Sequence, residues 1–494
     1  MLYQGRMQSA AATRSVDAFI PICKAYGLAY LTSTIPRLPT AVSTIVRSEV
    51  TLQQKTRLLK AFLTAAIGIN RLPTTCAIIV GGSTALPDFL FKVLLWLRRA
   101  TFSALARKCL DVLIKRLTFI CAFASAWIAF KLLNKDERWA RKRANSMTAQ
   151  IQADYEPPNQ HHLPPPGYHT SYAGKTIDFT LFAFCRAVDV LVVSTWINTR
   201  TSFLHPEHTA PRTSRIVKKL ADPWVFSISS AIIMWSWFFA PARLPKSYNQ
   251  WISKIANIDH RLIQALRLCR QGDIVYGNQE TQDANLPSLC KELDLPQEWG
   301  NPAIVVPIPC ELYHCGAGKS CEIHASSRFL TTFTMAMRIY LPLQMLSLLR
   351  RFSLDSRRIL GLLKDAARSS SFLAAFVGLF YYAVCLARTR LGPRIFSQKT
   401  ITPQMWDSGL CVLAGCLACG WSILFEKESR RQEIASFVAP RALATLLPRI
   451  YDKRYQRREQ VVFAASAALV MDAMYNRRQS VRGMFGKVLE SVIR

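Results

Sequence analysis

Two cysteines and two histidines at short intervals form the group in this sequence that is best suited to metal chemistry. They are Cys310, His314, Cys321 and His324. Thiolate and imidazole are ligands that zinc prefers, and a tetrahedral zinc site takes four of them. The same cysteines could instead form a disulfide or remain free thiols in a loop. The sequence leaves these three outcomes open, and zinc is the only cofactor that it suggests.

Other chemical motifs are incomplete. Residues 316–320 read Gly-Ala-Gly-Lys-Ser, but Tyr313 stands where a phosphate-binding loop needs glycine. Cys416 and Cys419 have a redox spacing, yet they lie in an apolar stretch where thiols are poorly reactive, so we predict that they pack in the core. No nucleophile–base set or carboxylate pair occurs at a recognisable spacing. Catalytic groups can converge in space from distant positions, so this absence leaves catalysis open, and the sequence points to no catalytic residues.

Charged residues in or beside apolar stretches are candidate functional residues of another kind. Arg186 and Arg441 lie inside such stretches, where a charge is costly and often faces a partner or a watery cavity. The alternative is that their side chains reach out to the membrane interface. Three further candidates follow directly after an apolar stretch, namely Glu426, Arg430 and Arg431.

Composition favours a membrane surface as the partner of this basic chain. Half of its 494 residues are apolar, yet Lys and Arg outnumber Asp and Glu by 63 to 31, for a net charge of +32. The basic residues flank apolar segments, as in Arg98-Arg99 and Arg357-Arg358, and do not form a separate basic face. This placement suits lipid headgroups. We expect membrane lipids, including anionic headgroups, as partners, with other organelle membrane proteins as further candidates and no nucleic acid.

Apolar stretches of membrane-spanning length define the fold class. The stretch 408–425 has no charge, and about 18 such residues can cross a bilayer core as a helix. Its small residues would let helix backbones approach closely. Similar stretches occur at 117–133, 224–240 and 371–387. The sequence therefore predicts an all-α, polytopic integral membrane protein.

An internal repeat relates the two halves of the chain. Four blocks recur in the same order, pairing 62–68 with 372–378, 132–138 with 424–430, 182–187 with 437–442 and 225–229 with 462–466. Repeats of this kind predict a duplicated bundle of about four helices per copy. Repeated bundles are common in transporters, where a pathway runs between the copies.

Four segments follow from the repeat and from shifts in composition. They are an N-terminal segment at 1–50, a first membrane helical repeat at 51–260 with a Pro-rich insertion at 140–175, a soluble Cys/His-containing linker at 261–325, and a second membrane helical repeat at 326–494.

Several of these residues resemble the transmembrane protein 135 family. Residues 423–431, Ile-Leu-Phe-Glu-Lys-Glu-Ser-Arg-Arg, follow a Gly/Ala/Cys-rich span and are similar to the family signature. The family's cysteine-rich block is matched by Cys310, His314, Cys321, Phe329 and the segment 339–343. Cys315 departs from the proline expected there. Residues 268–277 and 298–300 look like fungal members.

The resemblance implies a function that the residues alone do not. The family shares its small-residue helices with Tim17-type and peroxisomal membrane proteins, is associated with peroxisomes and mitochondria, and has no established catalytic residues. We therefore expect a non-enzymatic multi-pass protein, peroxisomal or else mitochondrial, that acts in organelle dynamics and lipid metabolism. The alternative is a membrane transporter or channel for a metabolite or lipid, which the repeat, Arg186 and Arg441 suggest. A lipid-modifying enzyme is a third hypothesis.

Overall fold

A computed structural model of the chain describes its helical parts and most of their connections. The described residues are 19–47, 51–100, 103–135, 172–202, 212–278, 285–349, 356–397, 399–449 and 451–494. They form an all-α protein, as predicted, with one short antiparallel pair of two-residue strands. Almost all of the Pro-rich insertion lies outside the described residues.

The helices before the central soluble segment are mostly long. In chain order they are α1 (Ile20–Thr34), α2 (Leu38–Arg47), α3 (Leu52–Ala65), α4 (Leu72–Ala100), α5 (Ala104–Leu133), α6 (Ile177–Ser202), α7 (Arg212–Phe239) and α8 (Lys246–Ala256). The strand β1 (Tyr172–Ala173) precedes α6 and pairs with β2 (Tyr451–Asp452).

The second half alternates short and long helices. They are α9 (His260–Gln271), α10 (Leu286–Glu292), α11 (Cys310–His314), α12 (Cys321–Leu349), α13 (Ser356–Cys385), α14 (Gly392–Ile395), α15 (Pro403–Met405), α16 (Cys411–Cys419), α17 (Glu428–Leu446), α18 (Gln456–Asn476) and α19 (Gly483–Ile493).

Four helical segments are long and apolar enough to cross a membrane. Among the described residues they are Leu72–Ala100, Leu105–Leu133, Ser356–Ile395 and Pro403–Phe425. The first of them is a single helix with Pro87 inside it, and the sequence had not suggested a span there. The predicted stretch 224–240 lies in α7, which is not one of the four, and much of it is buried within the protein.

The described chain divides into two compact units that do not follow sequence order. The terminal unit comprises the described residues of Met1–Thr209 and Arg449–Arg494, and the central unit those of Ala210–Pro448. The predicted boundaries at 260 and 325 both fall inside the central unit. The segment predicted as a separate linker contributes to that unit's main core, where Leu262, Leu266 and Ile274 pack with residues of α7 and α13.

In the terminal unit, each helix packs against the next in the order α1, α4, α5, α18 and α6. Alanines line the contact between α5 and α18, with Ala122 and Ala126 on one helix and Ala464 and Ala468 on the other, all fully buried. Side chains this small let two helix backbones approach closely, as in membrane helix pairs.

In the central unit, each helix packs against the next in the order α12, α13, α16, α7 and α17. Glycine provides the close approach here. A Cβ atom at Gly420 would lie 2.4 Å from Ser227 Cα, and one at Gly415 would lie 2.8 Å from the Phe380 side chain. The prediction that small residues in 408–425 permit close helix packing is confirmed.

The stretch 408–425 is helical but does not form one regular α-helix. A π-helical turn at Trp406–Leu410 precedes α16, and a 3₁₀ segment at Gly420–Phe425 follows it. Gly409, with φ of 138°, allows the first change of geometry because it has no side chain. A second π-helical turn, Leu386–Arg390, ends α13. Such turns are frequent at functional sites.

Candidate functional site

A tight reversal of the chain brings three of the four predicted metal ligands together. Cys310 begins α11 and Cys321 begins α12. Between them Cys315, Gly316 and Gly318 have positive φ angles, which turn the chain back on itself. The ligand atoms of Cys310, His314 and Cys321 all lie within 4.8 Å of one another. The sequence therefore located a Cys/His group that could hold a metal ion.

The ring of His314 is held in the orientation that a metal ligand needs. Its Nδ1 lies 2.6 Å from the carbonyl oxygen of Gly318. A carbonyl oxygen only accepts, so Nδ1 carries the proton and Nε2 keeps its lone pair. Metal-binding histidines commonly donate their other nitrogen to a carbonyl in this way. Nε2 faces the thiol of Cys385, whose Sγ is 3.7 Å away.

Cys385 is the site residue that sequence reasoning missed. It is the last residue of α13 and is buried beside the His314 ring. Its sequence neighbours are apolar, so it looks like a small core side chain. Nothing local distinguishes it from Cys411 or Cys416, which are also fully buried.

His324 lies beside the three-residue group and not within it. Its ring stacks on that of His314, with centroids 4.7 Å apart and 20° between the planes, and meets Tyr381 edge-on. Both of its ring nitrogens are buried without a hydrogen-bond partner among the described residues. Burial, and then the neighbouring His314 and Arg328, lower the pKa of His324 to about 4. The ring is therefore neutral at pH 7.

A buried ion pair adjoins the Cys/His group. Arg388 and Asp407 sit in the two π-helical turns, and their side chains are 2 % and 0 % exposed. Two guanidinium nitrogens of Arg388 contact the two carboxylate oxygens of Asp407 at 2.5 and 2.8 Å. The remaining guanidinium nitrogen, Nη1, lies 3.9 Å from Cys310 Sγ. The pair therefore joins two spanning segments and touches a candidate metal ligand.

Two tyrosines complete the hydrogen bonding of Asp407. Tyr276 donates its hydroxyl to Asp407 at 2.5 Å, and Tyr313 donates at 3.0 Å. Burial, reinforced by the nearby carboxylate, raises the pKa of Tyr276 well above its usual value. Burial likewise raises the pKa of the Cys310 thiol. These groups are therefore protonated at neutral pH, and the Cys310 thiol becomes a thiolate only if a cation stabilises it.

The central unit also contains an apolar cavity of about 420 Å³. Side chains from α7, α8, α13 and α17 line it, among them Phe226, Trp251, Phe372 and Val438. Such a volume falls within the range of about 300–1,000 Å³ that is typical of small-molecule sites. The helix α8 is amphipathic, and its Trp251 is 48 % exposed, as suits a helix at a membrane interface.

Part of the cavity wall is polar and includes two predicted site residues. Glu426 and Arg430 line it together with Ser369 and Tyr340. The buried Glu426 accepts a hydrogen bond of 2.5 Å from Ser369, which also accepts one of 3.0 Å from Arg430. The side chain of Arg430 is 35 % exposed. The cavity therefore combines a long apolar surface with a small ionic group.

The other three predicted site residues make other contacts. Arg431 donates to the backbone carbonyls of Glu426 and Leu424 and so holds the end of the 3₁₀ segment. Arg441 lies over the ring of Phe437, 3.4 Å from its centroid, and donates to that residue's carbonyl. Arg186 lies over the ring of Phe182 on its own helix at 5.3 Å and over that of Phe485 in α19 at 5.1 Å. None of the three lines the apolar cavity.

Comparison with known proteins adds no relative to this description. The chain matches no family model, no curated protein and no solved structure. The class of protein is therefore defined by the fold and its sites alone: an all-α protein with four helices long and apolar enough to span a membrane, an apolar cavity, and a Cys/His group.

Proposed function

We propose that this chain is a non-enzymatic, multi-pass organelle membrane protein that acts in lipid metabolism by holding the acyl chain of a lipid. The observation that supports it is the apolar cavity of about 420 Å³ with an ionic group in its wall. An acyl chain would occupy the apolar part, where burial of each CH₂ group contributes about 0.8 kcal/mol. A polar head would meet Arg430, which is partly open to solvent.

The position of α8 favours a lipid over a water-soluble metabolite. This amphipathic helix covers one side of the cavity with Tyr248, Trp251, Ile252 and Ile255. The opposite walls include α13, which belongs to a segment long and apolar enough to cross a membrane. A lipid could therefore enter from the interface without leaving its bilayer. Transport through a polar pathway finds no comparable support, because Arg186 lies over the rings of Phe182 and Phe485 and Arg441 over that of Phe437.

Lipid binding is tested by filling the cavity. The full chain is purified in mild detergent, its bound lipids are identified by mass spectrometry, and its affinity for a fluorescent long-chain fatty acid is measured. Val438→Trp places a large ring in the cavity and should weaken binding about tenfold or more. The matched control is Leu446→Trp, at an exposed position on the same helix. Unchanged binding by Val438→Trp would refute the proposal.

A second pair of variants tests the head group. Arg430→Gln removes the cation in the cavity wall. Lys427→Gln is the matched control, because Lys427 is only three residues away but pairs with Asp365 outside the cavity. Only Arg430→Gln should reduce the preference for an anionic lipid over a neutral one. Equal effects of the two variants would show that overall charge, and not the cavity, selects the lipid.

The organelle is proposed from the resemblance to the transmembrane protein 135 family. We propose a peroxisomal location, with the mitochondrion as the alternative, and a role in organelle dynamics. Imaging of the tagged full chain against markers of both organelles tests this. Alkaline carbonate extraction should leave the protein in the membrane pellet.

The Cys/His group enters the proposal as a structural zinc site. Cys310, His314 and Cys321 offer two sulfur ligands and one nitrogen ligand, which suits zinc and not magnesium or calcium. The ion would hold the chain reversal between α11 and α12 in place. Elemental analysis of the purified chain should find about one zinc ion per molecule.

A further inference from the structure

We infer that Cys385 is the fourth ligand of this zinc site, so that three cysteines and His314 hold the ion. The inference rests on the proposed zinc at Cys310, His314 and Cys321. Structural zinc sites are almost always four-coordinate, with closed ligand sets that include three cysteines and one histidine. The group therefore needs one more ligand from a neighbouring element.

Cys385 lies beside the three-residue group, next to the His314 ring. Its Sγ lies 3.7 Å from Nε2 of His314, the nitrogen that keeps its lone pair. Ligand atoms at about 2.0–2.3 Å from zinc lie about 3.3–3.8 Å from one another. The separation between Cys385 Sγ and His314 Nε2 is therefore the one expected for two ligands of the same ion.

His324 cannot replace Cys385 while the two histidine rings are stacked. A metal lies in the plane of the imidazole that binds it. The planes of His314 and His324 are only 20° apart, and the ring centroids are 4.7 Å apart, one ring above the other. Lone pairs in two nearly parallel planes do not meet at one point about 2.0 Å from both nitrogens. The stacking therefore excludes a shared ion.

Arg388 supplies the positive charge that three thiolates need. Zinc with three thiolates and a neutral imidazole has a net charge of −1. The Nη1 of Arg388 lies 3.9 Å from Cys310 Sγ, and its other nitrogens are fixed by Asp407 and by the Ile308 carbonyl. Groups that donate to a ligand sulfur in this way orient it and spread its charge. The three thiol protons leave to solvent when the ion binds.

The fourth ligand changes what the ion connects. With Cys385 included, zinc joins α11, the start of α12 and the end of α13, which belongs to the spanning segment Ser356–Ile395. The ion then fastens the soluble part of the central unit to a membrane helix, and not merely to the next turn of chain.

X-ray absorption on the purified full chain tests the ligand set without any substitution. Three sulfur atoms at about 2.3 Å and one nitrogen at about 2.0 Å are expected. Two sulfurs and two nitrogens would overturn the assignment of Cys385 while leaving the zinc proposal intact. Absence of zinc from the chain as isolated, together with its failure to bind added zinc, would overturn both.

Matched variants separate ligands from neighbours. His314→Phe and His324→Phe both keep a flat ring in the stack, but only His314→Phe should lose the ion. Cys385→Ser should lose zinc on dialysis against a chelator, whereas Cys416→Ser, at another buried cysteine, should retain it. Retention of zinc with three sulfurs by Cys385→Ser, or its loss from His324→Phe alone, would contradict the inference.

Discussion

The terminal and central units use the same helix order to build different interiors. The series α1, α4, α5, α18, α6 in one unit corresponds to α12, α13, α16, α7, α17 in the other. Three of the four repeated sequence blocks follow this correspondence. One pairs the end of α5 with the end of the 3₁₀ segment that follows α16. The other two pair α6 with α17 and α7 with α18. The block 62–68 does not follow the correspondence, since it falls at the end of α3 and just after it.

The comparison also shows an exchange of helices. By sequence α7 belongs to the first copy, yet it packs between α16 and α17 in the central unit. By sequence α18 belongs to the second copy, yet it packs between α5 and α6 in the terminal unit. The matching packing order is what a duplicated helical unit would produce. Common ancestry of the two copies stays a prediction.

The polar interiors differ in how they balance charge. In the terminal unit Glu459 accepts hydrogen bonds from the hydroxyls of Thr176 at 2.7 Å, Thr180 at 2.8 Å and Tyr451. In the central unit the buried carboxylate of Asp407 faces Arg388. Glu459 is thus surrounded by neutral donors, whereas Asp407 has a compensating cation beside the Cys/His group. The Cys/His group and the apolar cavity both lie in the central unit.

The largest effect is expected from breaking the buried ion pair. Asp407→Ala leaves the Arg388 charge buried without its partner and should reduce the free energy of unfolding by about 3–5 kcal/mol. Denaturant unfolding in detergent micelles measures the change. The double variant Arg388→Met/Asp407→Leu removes both charges and should recover much of the loss. An equal loss in both variants would show that packing, and not charge, holds these segments together.

The corresponding change in the terminal unit should be smaller. Glu459→Gln keeps the shape of the side chain but replaces charge-assisted hydrogen bonds, each of which contributes about 1.5–3 kcal/mol. A loss in that range is expected from the same unfolding measurement. Glu428→Gln serves as the control, because Glu428 forms an exposed ion pair of 3.8 Å with Lys219 that should contribute less than about 1 kcal/mol. A loss for Glu459→Gln as large as for Asp407→Ala would remove the contrast between the units.

Close helix contacts provide a third comparison between the units. Gly420→Ala would push a Cβ to 2.4 Å from the Ser227 backbone, and such overpacking costs about 1–3 kcal/mol. Gly82→Ala in α4 would bring the new Cβ to 2.4 Å from the Cβ of Ser125, which side-chain rotation does not move, so its cost should fall in the same range. Gly361→Ala in α13 has no atom within 4 Å of the new Cβ and should be stabilising by up to about 1 kcal/mol. Any other order would mean that the helices shift to accommodate the methyl group.

The smallest effect concerns the N-terminal cap of α9 in the central unit. Asp259 caps α9 by accepting from the backbone N–H of Arg261 at 2.8 Å, and Asp259→Ala should cost about 1 kcal/mol. Asp259→Asn keeps a capping oxygen and should cost less. The hydrogen bond from the Arg261 side chain holds the pKa of Asp259 below its usual value.

The pH dependence of that cap follows from the sign of the shift. Because the folded state lowers the pKa of Asp259, the ionised carboxylate stabilises the protein above the unfolded pKa of about 3.9. This stabilisation is lost as the pH falls through the folded value. The difference in unfolding free energy between the native chain and Asp259→Asn should therefore persist at pH 7 and decline below about pH 4. A constant difference across that range would contradict the ionic contribution.

Local sequence predicted those features that depend on neighbouring residues. The apolar stretches 117–133, 371–387 and 408–425 lie in three of the four described segments that are long and apolar enough to span a membrane, but Leu72–Ala100 was not predicted and 224–240 is not one of the four. Cys310, His314 and Cys321 were found together because a short reversal joins them. Cys385 comes from a distant helix, and the two residues on each side of it in the sequence are apolar, so no local pattern marks it as a ligand. Arg388 and Asp407 are likewise isolated charges in separate segments, and only tertiary packing reveals them as a pair.

The division into units could not be predicted for a related reason. Repeated blocks show which helices are alike, but not which copy each one packs against. Since α7 and α18 resemble each other, the sequence pattern is compatible with either arrangement. The structure assigns each to the unit of the opposite copy.

The place of α18 determines the order in which the protein can mature on the ribosome. The central unit has all of its helices once synthesis has passed Pro448. The terminal unit begins first but lacks the helix between α5 and α6 until Gln456–Asn476 has emerged. During translation the faces of α5 and α6 that contact α18 therefore stay uncovered until after the whole central unit has been made. A chain released before α18 is made would contain the complete central unit, but its α5 and α6 would lack the helix that packs between them.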